Sequence, residues 1–209
     1  MARASLREDL LAAGVAMMHE RGFSASGIRD IVQAAGVPLG SFTNHFPSKE
    51  GFALAVLDRY FERLFALMNE TLRNESLPPL DRLDSYFAEI DRLARPLSWG
   101  HGCMVANFGL EMPVFSEVIR QRLVEIFQTL TEPFIEVLRA GQCTGDVRGD
   151  CDADDLAMLV LAGWHGAVLR SKVERSGNAL SSYWRTLRSL ITSSTSRAAA
   201  RGAVAAVLL

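Results

Sequence analysis

Cysteine is scarce and unpaired. Cys103, Cys143 and Cys151 are the three in the chain, and no two stand at a metal-type or C-x-x-C spacing. A disulfide framework is thereby excluded, and no secretory leader is read at the start, so reduced thiols in a cytoplasmic protein are expected. Long apolar runs are also missing. None approaches the roughly 20 residues of a membrane span, so no membrane partner is expected. The two Asn-x-Ser/Thr matches, at Asn69 and Asn74, then carry no meaning as glycosylation sites. An excess of positive charge is absent too: the formal charge is −2. Even residues 1–50 set Arg3, Arg7, Arg21, Arg29 and Lys49 against Glu8, Asp9, Glu20, Asp30 and Glu50. Any nucleic-acid surface must therefore come from local segregation of charge, helix N-termini and neutral donors. Catalytic signatures are lacking as well, with no Gly-rich phosphate loop, H-E-x-x-H or nucleophile elbow, and no cofactor is expected.

What the chain does have is apolar content, 49% of residues, enough for a substantial core and against global disorder. It also has helical spacing throughout, with no period-two strand. The organising stretch runs from Ser24 to Lys49. Ile28, Ile31, Val32 and Ala35 give one apolar face of a short helix, with Ser26 placed to cap it. Gly36 supplies the left-handed stop, and Pro38 opens a second helix ending at His45, anchored by Phe42 and Phe46. A helix of two turns is marginal alone and must be held by neighbours. Two such helices around a glycine form a helix-turn-helix, whose second member enters the DNA major groove.

The residues Gly22-Phe23, Ile28-Arg29-Asp30-Ile31, Ala34-Ala35-Gly36-Val37, Gly40-Ser41-Phe42 and His45-Phe46-Pro47-Ser48-Lys49-Glu50 run in order and without gaps over the first quarter of the chain. In this series the chain resembles the N-terminal domain of the TetR family of transcriptional regulators. Leu39 stands where that family often has lysine, and Thr43 where it usually has tyrosine, which removes two backbone contacts. The resemblance implies an all-α protein: a three-helix helix-turn-helix domain over 1–48, a larger helical ligand-binding and dimerisation bundle over 49–193, and a tail at 194–209. The helix at 49–74 links the two. It implies a homodimeric repressor that binds a palindromic operator in double-stranded DNA and is released by a small-molecule or reactive-electrophile effector. The competing reading is a helical-bundle enzyme or carrier that uses the helix-turn-helix for protein contacts only.

Taken in order, Leu6, Leu10, Leu11, Val15, Met17 and Met18 mark a first helix over 5–21, with Ser5 as cap. Phe23 is expected in the three-helix core beside Met17, Ile31, Phe42 and Phe46. Ser48 caps the long helix, which Leu77-Pro78-Pro79 breaks. Further helices are read from Leu80 to Pro96, Met104 to Met112, Ser116 to Ala140 (with a kink at Pro133), Ala153 to Glu174 and Leu180 to Thr192. A turn is read at 141–149. The acidic run Asp150 to Asp155 reads as helix-capping carboxylates rather than a metal site.

Three sets of candidate residues follow. Ser41, Thr43 and Asn44 are expected to face the groove, and Ser26, His45 and Lys49 the phosphates, with Gly27, Arg29, Pro38, Leu39 and Gly40 completing the surface. His45 packing on the first helix, and Arg3 and Arg7 as phosphate contacts or an ordinary solvated terminus, stay open alternatives. An effector pocket is assigned to Trp99, Cys103, Met104, Phe108, Met112, Phe127, Trp164 and His165. The same residues suit a packed core equally. Cys103 opens a helix, where exposed N–H groups favour a thiolate. Its neighbourhood, Gly102 to Asn107 with Glu111 beyond, is similar to that of TetR-family members that respond to electrophiles; simple packing is the alternative. The dimer surface is assigned to Leu156, Leu159, Val160, Leu187, Leu190 and Ile191, because these last helices are apolar beyond one stripe.

Overall fold

The computed structural model describes residues 6–193, so the expectations for Arg3, the Ser5 cap and the 194–209 tail fall outside the described residues. Among the described residues the chain forms α1 (Leu6–Arg21), α2 (Ile28–Ala35), α3 (Leu39–His45), α4 (Lys49–Thr71), α5 (Pro79–Ala94), α6 (Met104–Glu111), α7 (Glu117–Thr144), α8 (Ala153–Glu174) and α9 (Asn178–Ile191). A short 3-10 turn, Arg95–Leu97, follows α5. The only pairing of strand type described is an isolated bridge between Val147 and Thr192. Helix ends obey local chemistry. Gly36 sits at φ 66° and closes α2, Ser48 Oγ accepts from Gly51 N at 3.0 Å to start α4, and Pro79 opens α5. Several ends lie a few residues from expectation: α4 stops at Thr71, α5 runs Pro79–Ala94 and α9 starts at Asn178. Pro38 is the N-cap of α3 rather than its first residue, and α7 runs through Pro133 to Thr144, four residues past Ala140.

Among the described residues the chain forms two compact units, one of residues 6–65 with 100–128, the other of 66–99 with 129–193. The first unit contains the described part of the stretch read as the helix-turn-helix domain, and more. It takes in the start of α4, all of α6 and the start of α7, because those pieces pack and bond to it.

In the first unit, Leu10, Met18, Ile31, Phe42, Phe46, Phe52, Val56 and Leu57 are fully or nearly fully buried. Phe52 is the hub, its ring centroid 5.1 Å from Phe42 and 4.8 Å from Phe46. Such tilted and edge-on pairs add roughly 0.5–1.5 kcal/mol each beyond the area they bury. Gly14 lets α4 come close: a Cβ there would lie 2.5 Å from Phe52 Cζ. Met18 rather than Met17 fills this core, and Phe23 is only half-buried, outside it. The expected assignment for the methionine was one helical position out, and Phe23 lies in the turn after α1.

Within the second unit, Phe87, Phe134, Trp164 and Trp184 form an aromatic chain, Phe87 lying 4.6 Å from Trp164 and 4.2 Å from Trp184. Asp84 gathers Trp184 Nε1 at 2.7 Å and the Arg188 guanidinium at 2.9 Å. The acidic run is locally paired: Asp152 caps α8 by accepting from Asp154 N, while Asp150 binds Arg148 and Asp154 binds Arg139.

Candidate nucleic-acid interface

α3 has seven residues and cannot hold a direction alone, so its position comes from packing. Phe42 and Phe46 turn inward and tie it to Phe52. That leaves Pro38, Leu39, Gly40, Thr43, Asn44 and His45 exposed along one side, with Leu39 54% exposed. Thr43 Oγ1 donates to Gly40 O at 3.1 Å, while Arg29 on α2 is exposed and Gly27 is the N-cap of that helix. The exposed side of α3 is therefore short, largely uncharged and made of small polar groups plus one leucine.

Three of the residues expected to face DNA lie elsewhere. Ser26 is fully buried and does not cap α2; its Oγ donates to Gly22 O at 2.6 Å and closes the α1–α2 turn. Ser41 is 8% exposed, because it lies on the same inward side as Phe42. Lys49 is half-buried: Nζ donates to Phe23 O at 2.7 Å and stands 4.3 Å above the Phe23 ring. Burial pushes its pKa down, and the nearby Glu111 charge only partly restores it. His45 is exposed rather than packed on α1.

A partner of the turn is Glu111, which the sequence reading named only within the Cys103 neighbourhood. Its Oε2 accepts from Phe23 N at 2.9 Å and its Oε1 from Ser24 N at 2.7 Å. Burial tends to raise this carboxyl, but the Ser24 hydroxyl, both amides and the Lys49 charge outweigh it and hold its pKa below the usual value. Nothing local in the sequence announces such a contact, since 87 residues separate Ser24 from Glu111.

At the other end of α6, Cys103 is the N-cap. Burial raises its thiol pKa; hydrogen bonds from the Ala106 amide, the Tyr60 hydroxyl and the Val105 amide oppose that without overcoming it. The loop before it is pinned. His19 Nε2 donates to Gly102 O at 2.9 Å, and Asn107 Nδ2 to His101 O at 3.0 Å. The His19 ring also lies 5.1 Å from Tyr60 and 5.2 Å from His101.

The eight residues assigned to one effector pocket do not fall in one unit. Cys103, Met104, Phe108, Met112 and Phe127 belong to the first, and Trp99, Trp164 and His165 to the second. Met104, Phe108 and Met112 are buried, with Phe127 beside Gly109. Trp99 donates from Nε1 to Asp91 at 2.8 Å and packs on Gly177. Trp164 is buried between Phe87 and Tyr183, and burial pushes the His165 pKa down, keeping that ring neutral at pH 7.

The assigned dimer residues also divide. Leu156, Val160, Leu187 and Ile191 are buried within their own second unit, whereas Leu159 and Leu190 are 60% and 56% exposed. The two exposed leucines line a groove of about 500 Å³ between α8 and α9, together with Gly163, Ala167, Ala179 and Ser182. Tyr183 forms part of its wall, its ring against Gly163 and its hydroxyl donating to Val160 O at 2.5 Å.

Residues 10–56 match the family profile described as bacterial regulatory proteins, tetR family, and residues 79–187 that of the tetracyclin repressor-like C-terminal domain. The HTH-type transcriptional repressor DhaR of Mycobacterium sp. strain GP1 is 41% identical over 88% of this chain and 90% of its own length. A TetR regulatory protein from Rhodobacter sphaeroides superposes with a TM-score of 0.85 at 32% identity, covering 88% of this chain and 97% of that one. The reduced form of Escherichia coli NemR superposes with a TM-score of 0.77 at 25% identity, covering 89% and 97%. The HTH-type repressor NemR aligns at 27% identity over 81% of this chain and 85% of its length.

The environments of the thiols lead to a labelling order. Cys143 is exposed, whereas burial raises the Cys103 pKa. With iodoacetamide at pH 7, peptide mapping is expected to show Cys143 modified well before Cys103. The Cys103 rate should still be climbing above pH 9, because a raised pKa delays the thiolate. A Cys103 rate that levels off below pH 8 would contradict that environment.

Proposed function

The chain belongs to the TetR family of bacterial regulatory proteins, and from that premise we propose how this DNA-binding transcriptional repressor engages its operator and lets it go. The observation that carries the reading is the exposed side of α3, held by Phe42 and Phe46 on a buried aromatic hub. Thr43 and Asn44 read base edges in the major groove, and Arg29, His45 and the Gly27 end of α2 meet phosphates. One seven-residue helix offers few base contacts, so two copies read a palindrome. The second copy docks on the α8–α9 groove, where Leu159 and Leu190 are exposed beside small residues.

The effector reading centres on Cys103. A sulfur that meets the first free amides of α6 has its thiolate stabilised where it forms, although burial keeps that form scarce at rest. A reactive carbon electrophile adds to the sulfur, the thiol proton passing to water or to the adduct. The added bulk is incompatible with the pinned loop of His101 and Gly102, and the DNA-incompetent arrangement is favoured. Such coupling is typically 1–3 kcal/mol. That a NemR structure is of a reduced form supports asking the redox question of this thiol. The alternative is a non-covalent ligand in the second unit, near Trp99 and Trp164.

Band-shift titrations on the promoter fragment of the gene's own operon test the interface. Arg29→Ala is expected to weaken binding to all sequences and to lower the log–log salt slope by about one unit. Asn44→Ala should relax preference at one base pair per half-site and leave the slope alone. Lys49→Ala, whose ammonium is already engaged by Phe23, should also leave the slope near wild type. A full-unit drop for Lys49→Ala would restore it to the phosphate surface.

For the effector, a mild electrophile or hypochlorous acid should release DNA from the wild type but not from Cys103→Ser. Cys143→Ser and Cys151→Ser should respond as the wild type does. Equal release from wild type and Cys103→Ser would reduce Cys103 to packing and leave the non-covalent ligand standing.

Sedimentation tests the dimer. Leu159→Glu and Leu190→Glu should give folded monomers, since each adds charge at an exposed position that only a partner would cover. Leu187→Glu should unfold the second unit, because an unpaired buried charge is costly. Wild-type protein that sediments as a monomer at micromolar concentration would end the dimer reading.

A further inference from the structure

The turn between α1 and α2 is gripped from both sides by side chains distant in sequence. Glu111, the last residue of α6, takes the Phe23 and Ser24 amides on its two carboxylate oxygens, at 2.9 and 2.7 Å. Lys49 Nζ donates to the Phe23 carbonyl, in the peptide that joins those two residues, at 2.7 Å. Ser26 Oγ closes the turn onto Gly22 O. Gly22 lies at φ 82°, and a Cβ there would stand 2.8 Å from Glu111 Oε2. The carboxylate is thus seated directly on the backbone, with no room for a side chain between.

We propose that Glu111 is a positioning residue for operator binding, holding the α1–α2 turn by its two amides and so fixing the direction in which α2 and α3 leave α1. The proposal rests on the reading of α3 as the DNA-contacting helix. Glu111 itself, an anion bonded to protein backbone, is not a DNA contact. Its leverage is geometric. α2 and α3 have eight and seven residues, and α2 begins at Gly27 without a side-chain cap. Their start is set by the turn, whose amides would otherwise have only water as partners. Hydrogen bonds to a carboxylate are shorter and roughly twice as strong as neutral ones, so two of them define the turn well. When they are lost the head spends time in orientations that do not match the operator. Apparent affinity then falls in proportion to the competent fraction.

The test uses full-length, unmodified protein and compares wild type with Glu111→Ala, Glu111→Gln and Gly22→Ala. Operator affinity is expected to fall about tenfold for Glu111→Ala, as for a competent fraction near one tenth. The fall should be smaller for Glu111→Gln, whose amide oxygen still accepts one hydrogen bond. Gly22→Ala, which displaces the carboxylate and also strains the turn's backbone at φ 82°, should lose at least as much. The salt slope should stay at the wild-type value, because no phosphate contact is removed. In hydrogen exchange, the Phe23 and Ser24 amides should exchange faster while those around Phe42 and Phe52 stay protected and the melting temperature holds. Glu111→Ala with wild-type affinity and wild-type exchange at Phe23 and Ser24 would overturn the proposal. So would loss of affinity accompanied by loss of core protection, which would make the role one of general stability. A wild type that binds no promoter DNA even at low salt would overturn the DNA reading of α3 and this proposal with it, a result distinct from a binding wild type matched by Glu111→Ala.

Discussion

The aromatic hub at Phe52 is the constraint on which the head depends. α2 and α3 are each too short to be stable in water, since helix nucleation costs more than one or two turns return. Their helicity is maintained by Ile31, Phe42 and Phe46 closing on Phe52, Met18 and Leu10. Gly14 permits that closure by letting the Phe52 ring lie against the α1 backbone. With Phe42 and Phe46 committed inward and Ser41 buried beside Phe42, Pro38, Leu39, Gly40, Thr43, Asn44 and His45 are left to face out. The exposed side of α3 is therefore a by-product of packing, and any function it has is paid for in the core.

Charge plays a smaller part than a nucleic-acid binder would suggest. The chain is nearly neutral, and Lys49, the one lysine of the head, is turned onto Phe23. Arginines are also spent on internal pairs, Arg59 with Glu8 and Arg122 with Asp58. The exposed side of α3 is left with a proline, a leucine, a glycine, Thr43, Asn44 and His45. Such a surface relies on hydrogen bonding and fit more than on long-range attraction, which places the burden on how accurately the helix is aimed.

That burden joins the two ends of α6. Cys103 caps its start and Glu111 ends it, eight residues on, with the turn of the head in its grip. The thiol sits in opposing fields. The residue is half-buried; desolvation raises its pKa, while the Val105 and Ala106 amides and the Tyr60 hydroxyl favour its anion. Desolvation by burial prevails, so the neutral thiol is the resting form.

The sequence by itself determined the all-helical fold, the α2–Gly36–α3 stretch, the Ser48 cap and the break at Pro78-Pro79. These are decided by residues within a few positions of one another, where spacing, caps and φ preference act. It did not determine which polar side chains of the head are spent internally. Ser26, Ser41 and Lys49 have the residue types of DNA contacts, yet two are buried and the third is claimed by the Phe23 carbonyl. Likewise α8 and α9 are apolar on several sides, so periodicity could not separate Leu187, which is buried, from Leu159, which is not. The tertiary structure decided those questions because burial and hydrogen bonding depend on what lies opposite. For Ser24 the partner is Glu111, 87 residues away, and only the closed chain brings that carboxylate to the turn.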